Sequence, residues 1–336
     1  MSKYSNAVSA MRTPLPTEPG LRDFVRFATL APNSHNTQPW KFQLGTDAVD
    51  ILPDFSRRTP AVDPDDHHIF VTLGCAAENL SIAAKGSGKS SDIHFLSNET
   101  GTPIRVSFGR GAATERELSN AIPARQSTRS EYDSRELSSS ELAQLEQAVL
   151  MPGVQTVFFS DRQKMEDVLE FIVQGNSAQI DDPAFVQELK SWLRFNAGSA
   201  LKTGDGLFAK CSGNPTGPTS VGRFMFDRAF TKKAENRKYT KQMRSSAGLV
   251  VFIAETEGPD GWIQVGRSFE RFALQATVLG IRHAHMNMPI EVAELRPAFA
   301  NWLGLPGRRP NLVVRFGKAP AMPMSMRRPL DAVLVR

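Results

Sequence analysis

Phe70-Val71-Thr72-Leu73-Gly74, continued as an apolar helical pattern through Leu80, Ile82 and Ala84, has a counterpart far along the chain. That counterpart is Trp262-Ile263-Gln264-Val265-Gly266, continued through Phe272, Leu274 and Ala276. Each pattern ends near a glycine, Gly88 or Gly280, the residue that most readily closes a helix. After an intervening stretch each is followed by Ile104-Arg105-Val106-Ser107-Phe108-Gly109 or Leu312-Val313-Val314-Arg315-Phe316-Gly317. Period-2 alternation predicts a half-buried strand at both places.

A second correspondence lies upstream of each unit. Leu21, Phe24, Val25 and Ala28 form a helical stripe leading to Trp40-Lys41-Phe42-Gln43-Leu44; Leu142, Leu145 and Val149 form another, leading to Val154 through Phe159. Helix–strand units of this kind occur in any α+β protein, but two correspondences in one order favour an internal duplication. The reading is therefore α+β, with halves at roughly 1–120 and 121–336. The second half is longer, and the excess lies mainly between Asp161 and Ser246. Its first part is helical, around Met165, Val168, Leu169, Ile172 and Val173 and again around Phe185, Leu189 and Leu193. From Asn196 to Ser220 it is rich in Gly, Ser, Thr and Pro, and long loops of that composition are functional lids or surface disorder. A lid over a ligand, at about 196–246, is the expectation.

With 336 residues, 40% hydrophobic and 22% charged, the chain has ordinary globular composition and room for two domains. No apolar run approaches the roughly 20 residues of a membrane span, so no membrane partner is expected. Met1 to Pro19 lacks the apolar core of a secretory signal and reads as a loose arm, which makes the cytoplasm the expected location. Two cysteines, Cys75 and Cys211, cannot organise a disulfide framework, and Cys75 lies in an apolar helix pattern as a small core residue. The net charge of +5 and pI near 9.3 invite a nucleic-acid reading. With basic residues read as spread along the chain and no nucleic-acid motif visible, a phosphate-bearing small ligand accounts for the bias better, and no nucleic-acid partner is expected.

Two stretches carry candidate binding groups. Ala31-Pro32-Asn33-Ser34-His35-Asn36-Thr37-Gln38-Pro39-Trp40 joins a helix to a strand and packs six hydrogen-bonding side chains into the six residues Asn33 to Gln38. Amide, hydroxyl and imidazole groups at such density can meet the alternating donors and acceptors of a heterocycle. In Ile122-Pro123-Ala124-Arg125-Gln126-Ser127-Thr128-Arg129, an extended backbone would turn Arg125, Ser127 and Arg129 to one side. Two guanidinium groups and a hydroxyl suit a phosphate, although a solvated basic linker is the plainer account of this stretch alone. Arg327-Arg328-Pro329 near the C-terminus has the same two readings.

The chain resembles the FMN-dependent nitroreductase superfamily, and most of all its single-chain, double-length Acg-like members. In that superfamily a motif similar to Ser-Ser-x-Asn-x-Gln-Pro-Trp lies beside the isoalloxazine, and an Arg-x-Ser-x-Arg motif holds the phosphate. Asn33 through Trp40 matches the first and Arg125-Gln126-Ser127-Thr128-Arg129 the second, while Arg327-Arg328 corresponds to a basic C-terminal segment that completes the phosphate site. The resemblance implies two tandem nitroreductase-like halves, with mixed or antiparallel sheets flanked by helices, forming a pseudo-dimer in one chain. It also implies FMN contacts from Asn33, Ser34, His35, Asn36, Gln38, Arg125, Ser127, Arg129, Arg327 and Arg328, and from backbone near His285, Met286 and Asn287. The first half has only Thr17-Glu18-Pro19-Gly20 where the phosphate motif would stand, and the second half has only Met151-Pro152-Gly153 in place of the loop. One complete set remains, so one FMN per chain is expected, and a monomer is plausible because the duplication already supplies the dimer-like interface.

No side chain need be a catalytic acid or base, since the redox chemistry belongs to the cofactor. His283 and His285 at strand spacing, and the run Asp63, Asp65, Asp66, His67 and His68, could be taken for metal ligands. The first pair lacks a third ligand, and the second run reads as a polar turn with Asp65 or Asp66 as helix N-cap, so no metal is expected. Two functions follow from the resemblance. One is an oxidoreductase that passes hydride from NAD(P)H to FMN and on to a nitroaromatic, quinone or similar acceptor. The other is a lid-covered protein that sequesters or stores FMN.

Overall fold

The computed structural model describes residues 2–96 and 103–335. In chain order its first elements are α1 (Lys3–Met11), α2 (Leu21–Ala28), β1 (Trp40–Leu44), β2 (Ala48–Pro53), α3 (His67–Gly86), β3 (Lys89–Phe95), β4 (Ile104–Arg110), α4 (Arg116–Ala121), α5 (Ser139–Ala148) and β5 (Val154–Phe159). Then come α6 (Arg162–Asp181), α7 (Pro183–Trp192), β6 (Leu193–Arg194), α8 (Ala197–Thr203), β7 (Leu207–Phe208), α9 (Thr219–Ala229) and α10 (Lys232–Arg244). The last are β8 (Gly248–Ala254), α11 (Pro259–Val278), β9 (Arg282–His285), α12 (Met288–Glu291), α13 (Arg296–Trp302), β10 (Pro310–Gly317) and β11 (Leu334–Val335). The fold is α+β, and the predicted helices and strands stand where the periodicity places them.

Two main sheets carry the architecture. One has the order β11-β1-β2-β4-β3 and is antiparallel except where β11 runs parallel to β1. Alternation dictates its orientation: Trp40, Phe42, Ile104 and Val106 are fully buried, while Gln43 and Arg105 face outward. The other, β5-β8-β10-β9, is antiparallel throughout. Its central strands are buried along their whole length because both faces are covered: β8 is entirely apolar, while β10, expected as a half-buried strand, is fully buried and carries Asn311 and Arg315 inside. On β8, Val250, Phe252 and Ala254 enter one core while Leu249, Val251 and Ile253 enter another.

Between the sheets, α3 and α11 cross at a reciprocal contact. A Cβ on Gly74 would overlap the carbonyl of Ile263, and a Cβ on Gly266 would overlap that of Val71. The backbones can meet only because both positions lack a side chain. The Cys75 thiol, raised well above its ordinary pKa by burial, donates to the Gly266 carbonyl at 3.1 Å. Glu78 of α3 binds Arg267 and Arg271 of α11 at 2.9 and 2.7 Å, and Arg271 reaches on to Glu115.

Two sequence expectations are corrected. The N-terminal residues do not form a loose arm: Ser2 caps α1, and Tyr4 and Val8, one turn apart, are buried against Phe208, Cys211 and Met326. The Tyr4 hydroxyl donates to the Met324 carbonyl at 2.8 Å. The partners that order this helix lie hundreds of residues away, beyond the reach of a local pattern. Asp66 is the N-cap residue of α3, as expected, but its side chain does not cap the helix. It has φ 61° and makes no capping bond, whereas the Asp63 carboxylate accepts the His68 amide at 3.0 Å. Asp65 and Asp66 instead pair with Arg309 and Arg58.

Candidate functional site

The loop between α2 and β1 folds against its own alternation. His35, Asn36 and Gln38 all adopt left-handed backbone, with φ of 47°, 55° and 56°. For non-glycine residues such conformations cost about 1 kcal/mol or more each and persist only where the surroundings enforce them. The enforcing bonds are present. The Asn33 Oδ1 accepts the Gln38 amide at 2.8 Å, Asn36 Nδ2 donates to the carbonyls of Gly206 and Met326, and Gln38 Nε2 donates to that of Gly204. The Gly206 amide returns a bond to the Asn36 carbonyl.

These bonds divide the motif. Asn36 and Gln38 point into the frame and tie the loop to the segment around α8 and β7. Asn33, Ser34 and His35 line a cavity of about 520 Å³, within the roughly 300–1,000 Å³ typical of small-molecule and cofactor sites. Arg129, His285 and Asn287 line the same cavity, with Val71 and Cys75 from α3 and Phe269 from α11. Residues far apart in sequence thus meet around one space.

Arg129 makes no hydrogen bond or ion pair through its guanidinium with any described residue. His35 Nδ1 is buried and has no hydrogen-bond partner. Burial, reinforced by the Arg129 charge, brings His35 down to about 4 and His285 down to about 3, so both imidazoles are neutral at pH 7. His68, depressed chiefly by burial, and Gln179 line another part of the wall together with Glu291, whose carboxyl is raised by burial and accepts from Gln179 Nε2 at 2.7 Å.

The remaining candidates lie elsewhere. Arg125 is buried, donates to the Leu30 carbonyl at 2.6 Å and approaches Glu270 to 3.4 Å. Glu270 is fully buried on α11, and burial pushes its carboxyl up to about 7. The Arg327 guanidinium donates to the carbonyls of Thr29, Leu30, Ala31 and Met326 and to Asn36 Oδ1, which occupies all three of its nitrogens. The Arg328 amide donates to Gln38 Oε1, and its side chain reaches the Ala332 carbonyl. Ser127 is half-buried in a bridge with His283. Met286 is packed in the second core, with its amide on the Val313 carbonyl. The His283 ring is buried edge-on to Phe269 and Phe272. Among the described residues no group of three His, Cys, Asp or Glu side chains could hold a metal ion.

The stretch expected as a lid is built from short elements that form one wall of the cavity. Phe195, Leu207 and Ala209 contribute to it, as do Val221, Met225, Phe226 and Phe230 around α9. Its near end is pinned by Asp205, which binds Arg194 at 2.7 Å and also pairs with Arg57. Motif reading missed these apolar groups because their spacing looks like ordinary amphipathic packing.

No family model matches the chain. The chain is 21% identical over 337 residues to "Putative NAD(P)H nitroreductase Rv3131" of Mycobacterium tuberculosis, covering 97% of this chain and 94% of the relative. It is 22% identical to "Putative NAD(P)H nitroreductase acg" of the same organism, covering 93% and 94%. Among solved structures, the FMN-dependent nitroreductase NfnB from Mycobacterium smegmatis in complex with NADPH aligns at 14% identity and a TM-score of 0.40, over 61% of this chain and 88% of that one. The chain is thus homologous along nearly its full length to the putative NAD(P)H nitroreductases Acg and Rv3131.

Proposed function

We propose that the cavity binds one FMN per chain and that the protein is an NAD(P)H-dependent oxidoreductase of nitroreductase type. The observation that carries this reading is the meeting of Asn33, Ser34 and His35 with Arg129, His285 and Asn287 around one space of cofactor size. The residues fit the group. His35 Nδ1 is a buried polar atom awaiting a partner, and Arg129 is a cation awaiting an acceptor. Amide and hydroxyl groups of Asn33 and Ser34 can bond a heteroaromatic edge. Bound there, FMN would supply the capacity to accept hydride from NAD(P)H and pass reducing equivalents to a nitroaromatic, quinone or similar acceptor. The chain's own part is to hold, orient and desolvate: Arg129 for the phosphate, the left-handed loop for the ring edge, and Val71, Cys75 and Phe269 for an apolar floor.

The same reading treats the chain as two fused nitroreductase-like halves forming a pseudo-dimer, with the boundary near 120. Its support is the reciprocity of the α3–α11 contact. Gly74 approaches Ile263 as Gly266 approaches Val71, the pattern a two-fold interface produces when a patch meets its own copy. Glu78 and Glu270 hold matching positions on the two helices, and each meets arginine from outside its own helix.

A second reading, FMN sequestration with little reductase activity, rests on the wall formed by the segment from Phe195 to Phe230, which shields the cavity. An anaerobic absorbance spectrum of the FMN-loaded protein separates the two. Bleaching on addition of NADPH or NADH supports the reductase. Bleaching by dithionite alone supports storage, and failure to bind FMN overturns both.

A further inference from the structure

Within residues 219–244, eight Lys and Arg side chains stand against two Asp and Glu, a net of +6. The whole chain carries only +5, so the rest of the protein is slightly negative and the net positive excess belongs to the segment holding α9 and α10. The basic residues themselves are spread along the chain, 32 of the 40 lying outside this segment, but elsewhere acidic residues balance them. Arg223, Arg228, Lys233 and Arg237 are exposed and form no ion pair with a described residue.

The first helix of this segment, α9, concentrates exposed apolar surface. Of six exposed large hydrophobic residues in the described chain, three are Val221, Phe224 and Met225 on α9, at 52%, 55% and 54% exposure. Scattered single residues of this kind need no explanation, but a contiguous patch does. At spacings of three and four they occupy one helix face, and Arg228, one turn on, continues it with its guanidinium 4.7 Å from the Phe224 ring centroid. An adjoining face holds the helix to the body: a Cβ on Gly222 would overlap the Phe195 ring. Val221 and Met225 also line the cavity, so the patch forms its rim.

We propose that α9 is a docking surface for an anionic lipid bilayer, with Val221, Phe224 and Met225 entering the interface and Arg228, Lys233 and Arg237 meeting the headgroups. Apolar side chains on one face of a helix, ringed by Arg and Lys, are the composition of helices that lie in a membrane interface. Basic residues near such a surface add attraction that fades within a Debye length, about 8 Å at physiological salt. The complementarity selects the occupant. Nucleic acid would use the charge but leave three apolar side chains in water. No helix among the described residues is long and apolar enough to cross a membrane, so the association is peripheral. It departs from the expectation of no membrane partner and is independent of what fills the cavity.

The test is co-sedimentation of the full chain with vesicles of phosphatidylcholine alone and of phosphatidylcholine mixed with phosphatidylglycerol. The native protein should sediment with the mixed vesicles at low salt, weakly at high salt, and not with phosphatidylcholine alone. The double variant Phe224→Ser with Met225→Ser should lose about tenfold or more of that partition, as should Arg228→Gln with Lys233→Gln and Arg237→Gln. Both sets are exposed, and an unchanged thermal melt shows that the fold is kept. No sedimentation of the native chain with mixed vesicles overturns the proposal, even if it binds DNA or another protein. Sedimentation that the Phe224 and Met225 variant leaves intact overturns it too, because the attraction is then diffuse charge.

Discussion

The guanidinium groups of Arg125 and Arg327 converge on one acceptor, the carbonyl oxygen of Leu30, at 2.6 and 3.1 Å. Two buried like charges at one oxygen are tolerable only with compensation, and Glu270 beside Arg125 supplies the negative partner. The pair anchors the last residues of α2 and the start of the cavity loop to the C-terminal segment.

Arg327 should therefore matter to folding first. Replacing it by Met strips donors from four carbonyls and from Asn36, and should cost about 3–5 kcal/mol in urea denaturation. Arg327→Lys should recover only part of that loss, since an ammonium cannot reproduce the planar fork. A variant as stable as the native chain would show that these bonds contribute nothing net.

Arg129 should behave in the opposite way. Its side chain supports no described neighbour, so Arg129→Gln should leave the melting temperature within a degree or two of native. If it holds the FMN phosphate, affinity should fall about ten- to hundredfold, the range expected for a charge-assisted hydrogen bond. Flavin fluorescence quenching measures this directly. Unchanged affinity would move the phosphate away from Arg129.

Gly74→Ala and Gly266→Ala should each destabilise by about 1–3 kcal/mol or more, because the new methyl meets a backbone carbonyl that cannot turn aside. The reciprocity of the contact predicts similar losses from the two substitutions. Thermal unfolding that drops for one and not for the other would break the proposed two-fold equivalence.

The cavity histidines set an acid limit. Their folded values lie below the ordinary imidazole value, so the unfolded chain binds more protons and stability falls as pH drops. The loss should begin near pH 6.5 and continue toward about 4 for His35 and about 3 for His285. Burial is the main cause, with Arg129 and His68 as the charged or titrating neighbours of both and Arg125 adding to His285. His285→Asn should flatten the acid slope of stability while changing little above pH 7. An identical slope in the variant would place the titration elsewhere.

Elements were legible wherever local period sufficed. The helical stripes at Leu21 and Leu142 stand as read, the strand at Leu312 forms where it was read but is buried on both faces rather than one, and the crowded loop at Asn33 does reach a cavity. What could not be read was direction. Left-handed backbone at His35, Asn36 and Gln38 breaks the alternation, so neighbouring motif residues divide between cavity and frame. Arg125 and Arg129 likewise part, one to Glu270 and one to the cavity. The packing of α1 was invisible because Tyr4 and Val8 find their partners around Cys211 and Met326. The polar run before α3 was recognised as a turn ending at the N-cap Asp66, but the carboxylate that accepts a helix amide is that of Asp63.

The pairing of β11 with β1 delays completion of the first sheet until long after β1 itself has been made. Phe42 and Gln43 leave the ribosome early, yet their partners Leu334 and Val335 are made nearly three hundred residues later. At synthesis rates of about 5–20 residues per second, that delay is roughly 15–60 s, during which the edge of β1 lies open to pairing with another nascent chain. Arg327 arrives in the same final moments to clamp the loop. A ribosome that stalls late would thus release a chain with nearly all its helices and strands but neither a closed first sheet nor a fastened cavity wall.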